Sequence, residues 1–126
     1  MDKKVTMQHV ALHYKNKEKA DIFFKKILGL EIIKDFKLSK SLSEQIFDIS
    51  QDADVFVYGN QNLVVEVFIS PNTQKHVFNH ICIKASDKDE FVNKCEKNNL
   101  KPYFVEKGDK KLLFVKDHSD NIYEIK

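Results

Sequence analysis

The feature that most constrains this chain is internal repetition: it runs through one order of elements twice. His9-Val10-Ala11-Leu12 and His80-Ile81-Cys82-Ile83 each open an alternating strand with a histidine, and a polar helix start follows each within a few residues. Val64-Val65-Glu66-Val67 and Ile122-Tyr123-Glu124-Ile125 each close a unit on a glutamate set in an apolar strand. Repetition of this kind is a stronger clue than either motif alone. Units of about 60 residues are marginal by themselves, so a chain of 126 residues is expected to fold as one body, 1–126. Module one covers about 4–70 and module two about 76–126.

The elements follow from periodicity. Met7 to Leu12 reads as a strand, and Lys17 to Leu28 as a helix with an apolar stripe of Ala20, Phe23, Phe24, Ile27 and Leu28, capped by Gly29. Strands are predicted over Glu31 to Lys37, Glu44 to Ile49, Asp54 to Tyr58 and Leu63 to Ser70, with a turn at Gly59-Asn60-Gln61-Asn62. The pattern then restarts. Val77 to Ala85 is a strand, Asp87 to Asn98 a helix, and Tyr103 to Glu106, Lys111 to Lys116 and Asn121 to Ile125 are strands. The fold class is therefore α+β, with two βαβββ modules.

Composition excludes several roles. A net charge of +2 with both signs interspersed argues against a nucleic-acid partner. Ten Phe and four Tyr can fill a core. The chain has no Arg, the usual choice for gripping carboxylate or phosphate with two bonds, so an anionic substrate must rely on Lys, backbone or metal. No run approaches about 18 apolar residues, so no membrane span is expected. Cys82 and Cys95 lie within periodic segments and no apolar leader precedes them, which favours reduced thiols and a cytoplasmic location.

Side-chain alternation then gathers the chemistry-bearing residues. Val10 and Leu12 share one strand face while His9 and Ala11 share the other, and Ile81 and Ile83 likewise oppose His80 and Cys82. The bulky faces should meet the helices, leaving His9, Glu66, His80 and Glu124 on the opposite side. A carboxylate within an apolar strand costs several kcal/mol to desolvate, on the order of the penalty for an unpaired buried charge, and no Arg is there to pair it. A divalent cation held by two imidazoles and two carboxylates would satisfy both glutamates, and such ligation suits Zn, Ni, Co, Mn or Fe. A lone strand histidine or glutamate is more often a half-buried or solvent-facing structural residue; the paired recurrence reverses that preference. His13, His76 and His118 lack the repetition and read as surface residues, His13 having the parity of His9. Cys82 reads as a small buried hydrophobe.

Two segments carry a family resemblance: Phe23-Phe24-Lys25-Lys26-Ile27-Leu28-Gly29-Leu30-Glu31, and Phe114-Val115-Lys116-Asp117-His118-Ser119-Asp120-Asn121-Ile122-Tyr123-Glu124. They resemble the helix-to-strand junction and the closing hairpin of the vicinal oxygen chelate superfamily, which includes glyoxalase I, methylmalonyl-CoA epimerase, extradiol dioxygenases, and fosfomycin and bleomycin resistance proteins. His118-Ser119-Asp120 stands where the family's turn usually carries Pro-Asp-Gly. The resemblance implies a curved mixed sheet around a cavity, with helices on its outer face and one metal ligand from the first and last strand of each module: His9, Glu66, His80 and Glu124. It further implies a homodimer acting on a small-molecule substrate. Four protein ligands favour a lyase or isomerase of glyoxalase I (lactoylglutathione lyase) type that stabilises an enediolate, with Glu124 as the base and Glu66 a ligand sharing proton transfer. The alternatives are an epimerase, an extradiol-type dioxygenase, or a metal-free small-molecule binding protein.

Overall fold

The computed structural model describes residues 7–71 and 79–126. Module one contributes β1 (Val10–Tyr14), the helix α1 (Lys17–Ala20, continued by a π-wound stretch over Asp21–Ile27), β2 (Glu31–Leu38), the helix α2 (Lys40–Phe47), β3 (Ala53–Gly59) and β4 (Val64–Ile69). Module two contributes β5 (His80–Ile83), α3 (Lys88–Lys97), β6 (Tyr103–Lys107), β7 (Lys110–Lys116) and β8 (Ile122–Ile125). Each module builds a four-stranded mixed sheet, ordered β1-β4-β3-β2 and β5-β8-β7-β6. In both, the first strand runs parallel to the last and the other neighbours are antiparallel. The two βαβββ modules of the sequence reading are thus the two sheets.

The start of α1 is set by Asn16, whose side chain accepts from the Lys19 amide at 2.8 Å. Its end is a Gly29 turn at φ +74°, where the Leu30 amide reaches back to the Phe24 carbonyl at 2.8 Å. Within the π-wound turn the Leu28 amide bonds the Phe23 carbonyl five residues earlier. Phe23 and Phe24 are both fully buried, yet they serve different sheets. The Phe23 ring meets Tyr123 of β8 at 4.6 Å, and Phe24 meets Tyr14 of β1 and Tyr58 of β3 at 5.5 and 5.1 Å. One core results, joining Val65 and Val67 of the first sheet to Leu113, Val115, Tyr123 and Ile125 of the second. On α3, capped by Asp87, the buried residues are Phe91 and Cys95.

The sequence reading misplaces one element and shifts others. The segment predicted as a strand over Glu44 to Ile49 lies instead in α2 and the turn after it. Ser39 caps α2 by accepting from the Leu42 amide at 3.2 Å, and Asp48 ends it in the left-handed region. Leu42, Ile46 and Phe47 carry helical spacing there, and Ile46 and Ile49, three residues apart, do not alternate as a strand's apolar residues would. While α1 and α3 pack on the outer faces, α2 approaches the other face of sheet one: its Phe47 ring meets Phe68 edge-on at 5.5 Å. The first strand begins after His9 and runs to Tyr14 rather than ending at Leu12. Cys82, expected to be buried, is exposed, whereas Cys95 is buried and its thiol is pushed up to about 12 by desolvation, with the Glu96 charge adding to the effect. His76 and the first residues of the predicted strand from Val77 lie outside the described residues. Among those described, no helix is long and apolar enough to cross a membrane.

A half-buried carboxylate ties α1 to sheet one. Asp21 accepts from Lys17 Nζ at 2.7 Å and from the Tyr58 hydroxyl at 2.6 Å. Burial, the largest single influence, pushes its pKa up, but the bonds from Lys17 and Tyr58 and the charges of Lys17 and Lys25 together bring it below the ordinary value. A depressed carboxyl contributes stability above the unfolded-state pKa, lost as pH falls through the folded one. Replacing Asp21 by Asn should therefore flatten the acid limb of stability below about pH 4. Urea midpoints recorded from acid to neutral pH would show this; parallel curves for variant and parent would refute it.

Candidate metal centre

Register shows how the backbone presents the four residues. In sheet one Ala11 lies opposite Glu66, and in sheet two Cys82 lies opposite Glu124. Each histidine stands two residues before the strand position that faces its glutamate, so the repeat extends to the pairing of the strands. Alternation puts His9, Ala11 and Glu66 on one face of sheet one, and His80, Cys82 and Glu124 on the matching face of sheet two. Their neighbours Val65, Val67, Tyr123 and Ile125 point into the core.

In sheet one the pair is in contact. His9 Nε2 lies 3.3 Å from Glu66 Oε1, with side-chain exposures of 43% and 19%. Two ligands about 2.1 Å from a metal at tetrahedral or octahedral angles are separated by roughly 3.0–3.4 Å, so the pair already has the spacing of adjacent ligands. His80 and Glu124 do not join it: among the described residues, no three His, Cys, Asp or Glu side chains converge closely enough to hold an ion. The two pairs lie on two different sheets.

The groups that fix β1 beside β8 are legible only in three dimensions. Asp117, buried at the end of β7, accepts from the Tyr123 hydroxyl at 2.7 Å, from the Ser119 and Asn121 amides at 2.9 and 3.0 Å, and from Asn121 Nδ2 at 2.9 Å. Asn121 Nδ2 also donates to the His13 carbonyl at 3.0 Å, and Ser119 Oγ accepts from the Lys15 amide at 3.1 Å. The closing turn of module two is thereby tied to the end of the strand that His9 precedes. Desolvation raises the Asp117 carboxyl above its ordinary pKa despite these donors. Burial and then the Asp117 charge raise both the Tyr123 and Tyr14 phenols. His13 and His118, read as surface residues, are half-buried: His13 Nε2 lies 2.9 Å from both the carbonyl and hydroxyl oxygens of Ser70, and His118 Nε2 lies 3.0 Å from the Asn98 carbonyl.

Comparison with known proteins brings no match to any family model or curated protein sequence. Solved structures do match over nearly the whole chain. The fosfomycin resistance protein FosX of Listeria monocytogenes superposes with a TM-score of 0.72 at 13% identity, covering 98% of this chain and 93% of that one. A glyoxalase family protein of Enterococcus faecalis gives 0.73 at 15% identity with 95% of each chain covered. One from Bacillus cereus gives 0.72 at 14%, covering 98% and 94%. This chain has the fold of the vicinal oxygen chelate superfamily. A further structure of the Listeria FosX contains Mn(II) and 1S,2S-dihydroxypropylphosphonic acid.

The Asp117 network yields a stability prediction. Removing the Tyr123 hydroxyl with Tyr123→Phe takes one donor from a buried carboxylate, at an expected cost of about 1–3 kcal/mol. Denaturant unfolding at neutral pH measures it; an unchanged midpoint would mean that the bond contributes nothing.

Proposed function

We propose that this protein is a divalent-metal-dependent enzyme of glyoxalase type, a lyase or isomerase acting on a small molecule with adjacent oxygens. His9, Glu66, His80 and Glu124 would be its metal ligands. The observation that carries the reading is the shared offset of histidine and glutamate in both sheets, with one pair already at ligand spacing in His9 and Glu66. Because the two pairs occupy separate sheets, we place the complete site in a homodimer, where the module-one face of one copy meets the module-two face of its partner.

The donor set fits Ni, Zn, Co, Mn or Fe(II), and the Mn(II) in the Listeria FosX structure supports a metal of this class. When bound, such an ion would draw electron density from the substrate's oxygens and offset charge that develops as a neighbouring carbon loses a proton. The chain's own part is to hold and move that proton. Glu124, half-buried between core residues Tyr123 and Ile125, is assigned as the base, and Glu66, within 3.3 Å of His9 Nε2, as the ligand that stays in place.

Elemental analysis of purified protein should find near-stoichiometric divalent metal, lost in His9→Ala. Glu124→Gln should keep much of the metal while turnover of a methylglyoxal–thiol adduct falls by about 10²–10⁴-fold, the range for losing a general base. Unchanged turnover would exclude Glu124 as the base. A parent protein that takes up no metal after reconstitution would favour a metal-free ligand-binding role, the alternative suggested by the absence of a three-donor cluster among the described residues.

A further inference from the structure

The helix that the sequence did not announce bounds a cavity of about 940 Å³, large enough for a drug-sized molecule. One part of its wall is apolar: Leu38 of β2, Phe47 and Ile49 from α2 and the turn after it, and Phe68 of β4. Small side chains keep the space open. Ser43, buried on α2, and Ala53, the register partner of Leu38 on β3, both line it. Among the described residues, the polar part of the wall carries Lys116, His13 and His80 against one carboxylate, Asp120. Among the described residues no carboxylate forms an ion pair with Lys116. The cavity also adjoins the candidate metal face, because Ala11 and His13 line it, His9 shares their parity, and Ala11 is the register partner of Glu66.

From this geometry we infer that the cavity beneath α2 binds a small molecule with a compact apolar body and an anionic head, and that this body is what the enzyme selects in its substrate. The apolar body packs against the paired Phe47 and Phe68 rings and Leu38 while the head meets Lys116. The inference rests on the proposed metal-dependent reading only in making the occupant a substrate; as a binding site the cavity stands without metal. It also gives α2 a role that module two does not duplicate, since β6 and β7 are joined directly by the turn at Gly108.

The chain contains no Trp, so Phe47→Trp provides a single reporter on the cavity wall. Titration with 8-anilinonaphthalene-1-sulfonate should give saturable energy transfer from that Trp at one site per chain. Filling the cavity with Ala53→Phe, or independently with Ser43→Leu, should weaken the probe about tenfold or more, whereas Leu42→Ala, outside the lining, should leave it unchanged. Lys116→Gln should weaken the sulfonate but not uncharged 1-anilinonaphthalene. Circular dichroism and metal content are recorded for every variant. If folded filling variants bind the probe as tightly as the parent, or the parent shows no saturable binding, the cavity assignment is overturned. An unchanged preference for the sulfonate in Lys116→Gln overturns the anionic head. Saturable, cavity-dependent binding in protein that takes up no metal after reconstitution supports the site while refuting the metal reading, so the two failures are distinguishable.

Discussion

A buried carboxylate holds this architecture in register. Taking Asp117 out of water is costly, and its donors offset that cost only when the closing turn of module two is formed: two amides of that turn, one side-chain amide and the Tyr123 hydroxyl. The same turn reaches module one through Asn121 to the His13 carbonyl and through the Lys15 amide to Ser119. The strand that His9 precedes and the strand carrying Glu124 are therefore placed by one network. Because the folded-state pKa of Asp117 is raised, the native chain binds its proton more readily than the unfolded chain does. Its contribution is fully present below the unfolded-state pKa and declines as pH rises through the folded one. Asp21, with its depressed carboxyl, works in the opposite sense.

The second constraint is aromatic. The π-wound turn of α1 buries two consecutive phenylalanines, Phe23 against the second sheet and Phe24 against the first. A regular α-helix turns by about 100° per residue, so adjacent side chains already diverge; the wider turn here accompanies two full burials. With the outer faces consumed by this core, the opposite faces are left for chemistry. They carry His9 with Glu66, and His80 with Glu124, each pair set by the same strand offset.

Much of this was legible in the sequence. The repeat of a histidine-led first strand and a glutamate-bearing last strand revealed the two modules and the parity of the four residues, because alternation survives small errors in strand limits: β1 starts three residues and ends two residues later than expected, and His9 kept its face. The same local reading failed at α2, where the short apolar run at Ile46-Phe47 reads as a strand although the spacing of Leu42, Ile46 and Phe47 and the Ser39 and Asp48 caps mark a helix. Alternation did place Cys82 on the face of Glu124, but the expectation that it is buried there failed, for Cys82 is exposed. The Asp117 network could not be read locally, since its partners reach residues 104 and 108 positions away in the chain. The same limit applies to how the two faces come together, for alternation assigns a residue to a face without saying which faces meet.

The central claim is that the two repeated pairs share one ion across two copies of the chain. It is tested most directly by mixing two variants that each lack one half of the site: His9→Ala/Glu66→Ala and His80→Ala/Glu124→Ala. Neither should hold metal alone. After unfolding and refolding together in equal amounts, the mixture should recover about a quarter of the parent's metal per chain, the statistical share of sites built from two intact halves in a two-fold dimer. No recovery, with the parent fully loaded, would contradict the account and place the four ligands within a single chain.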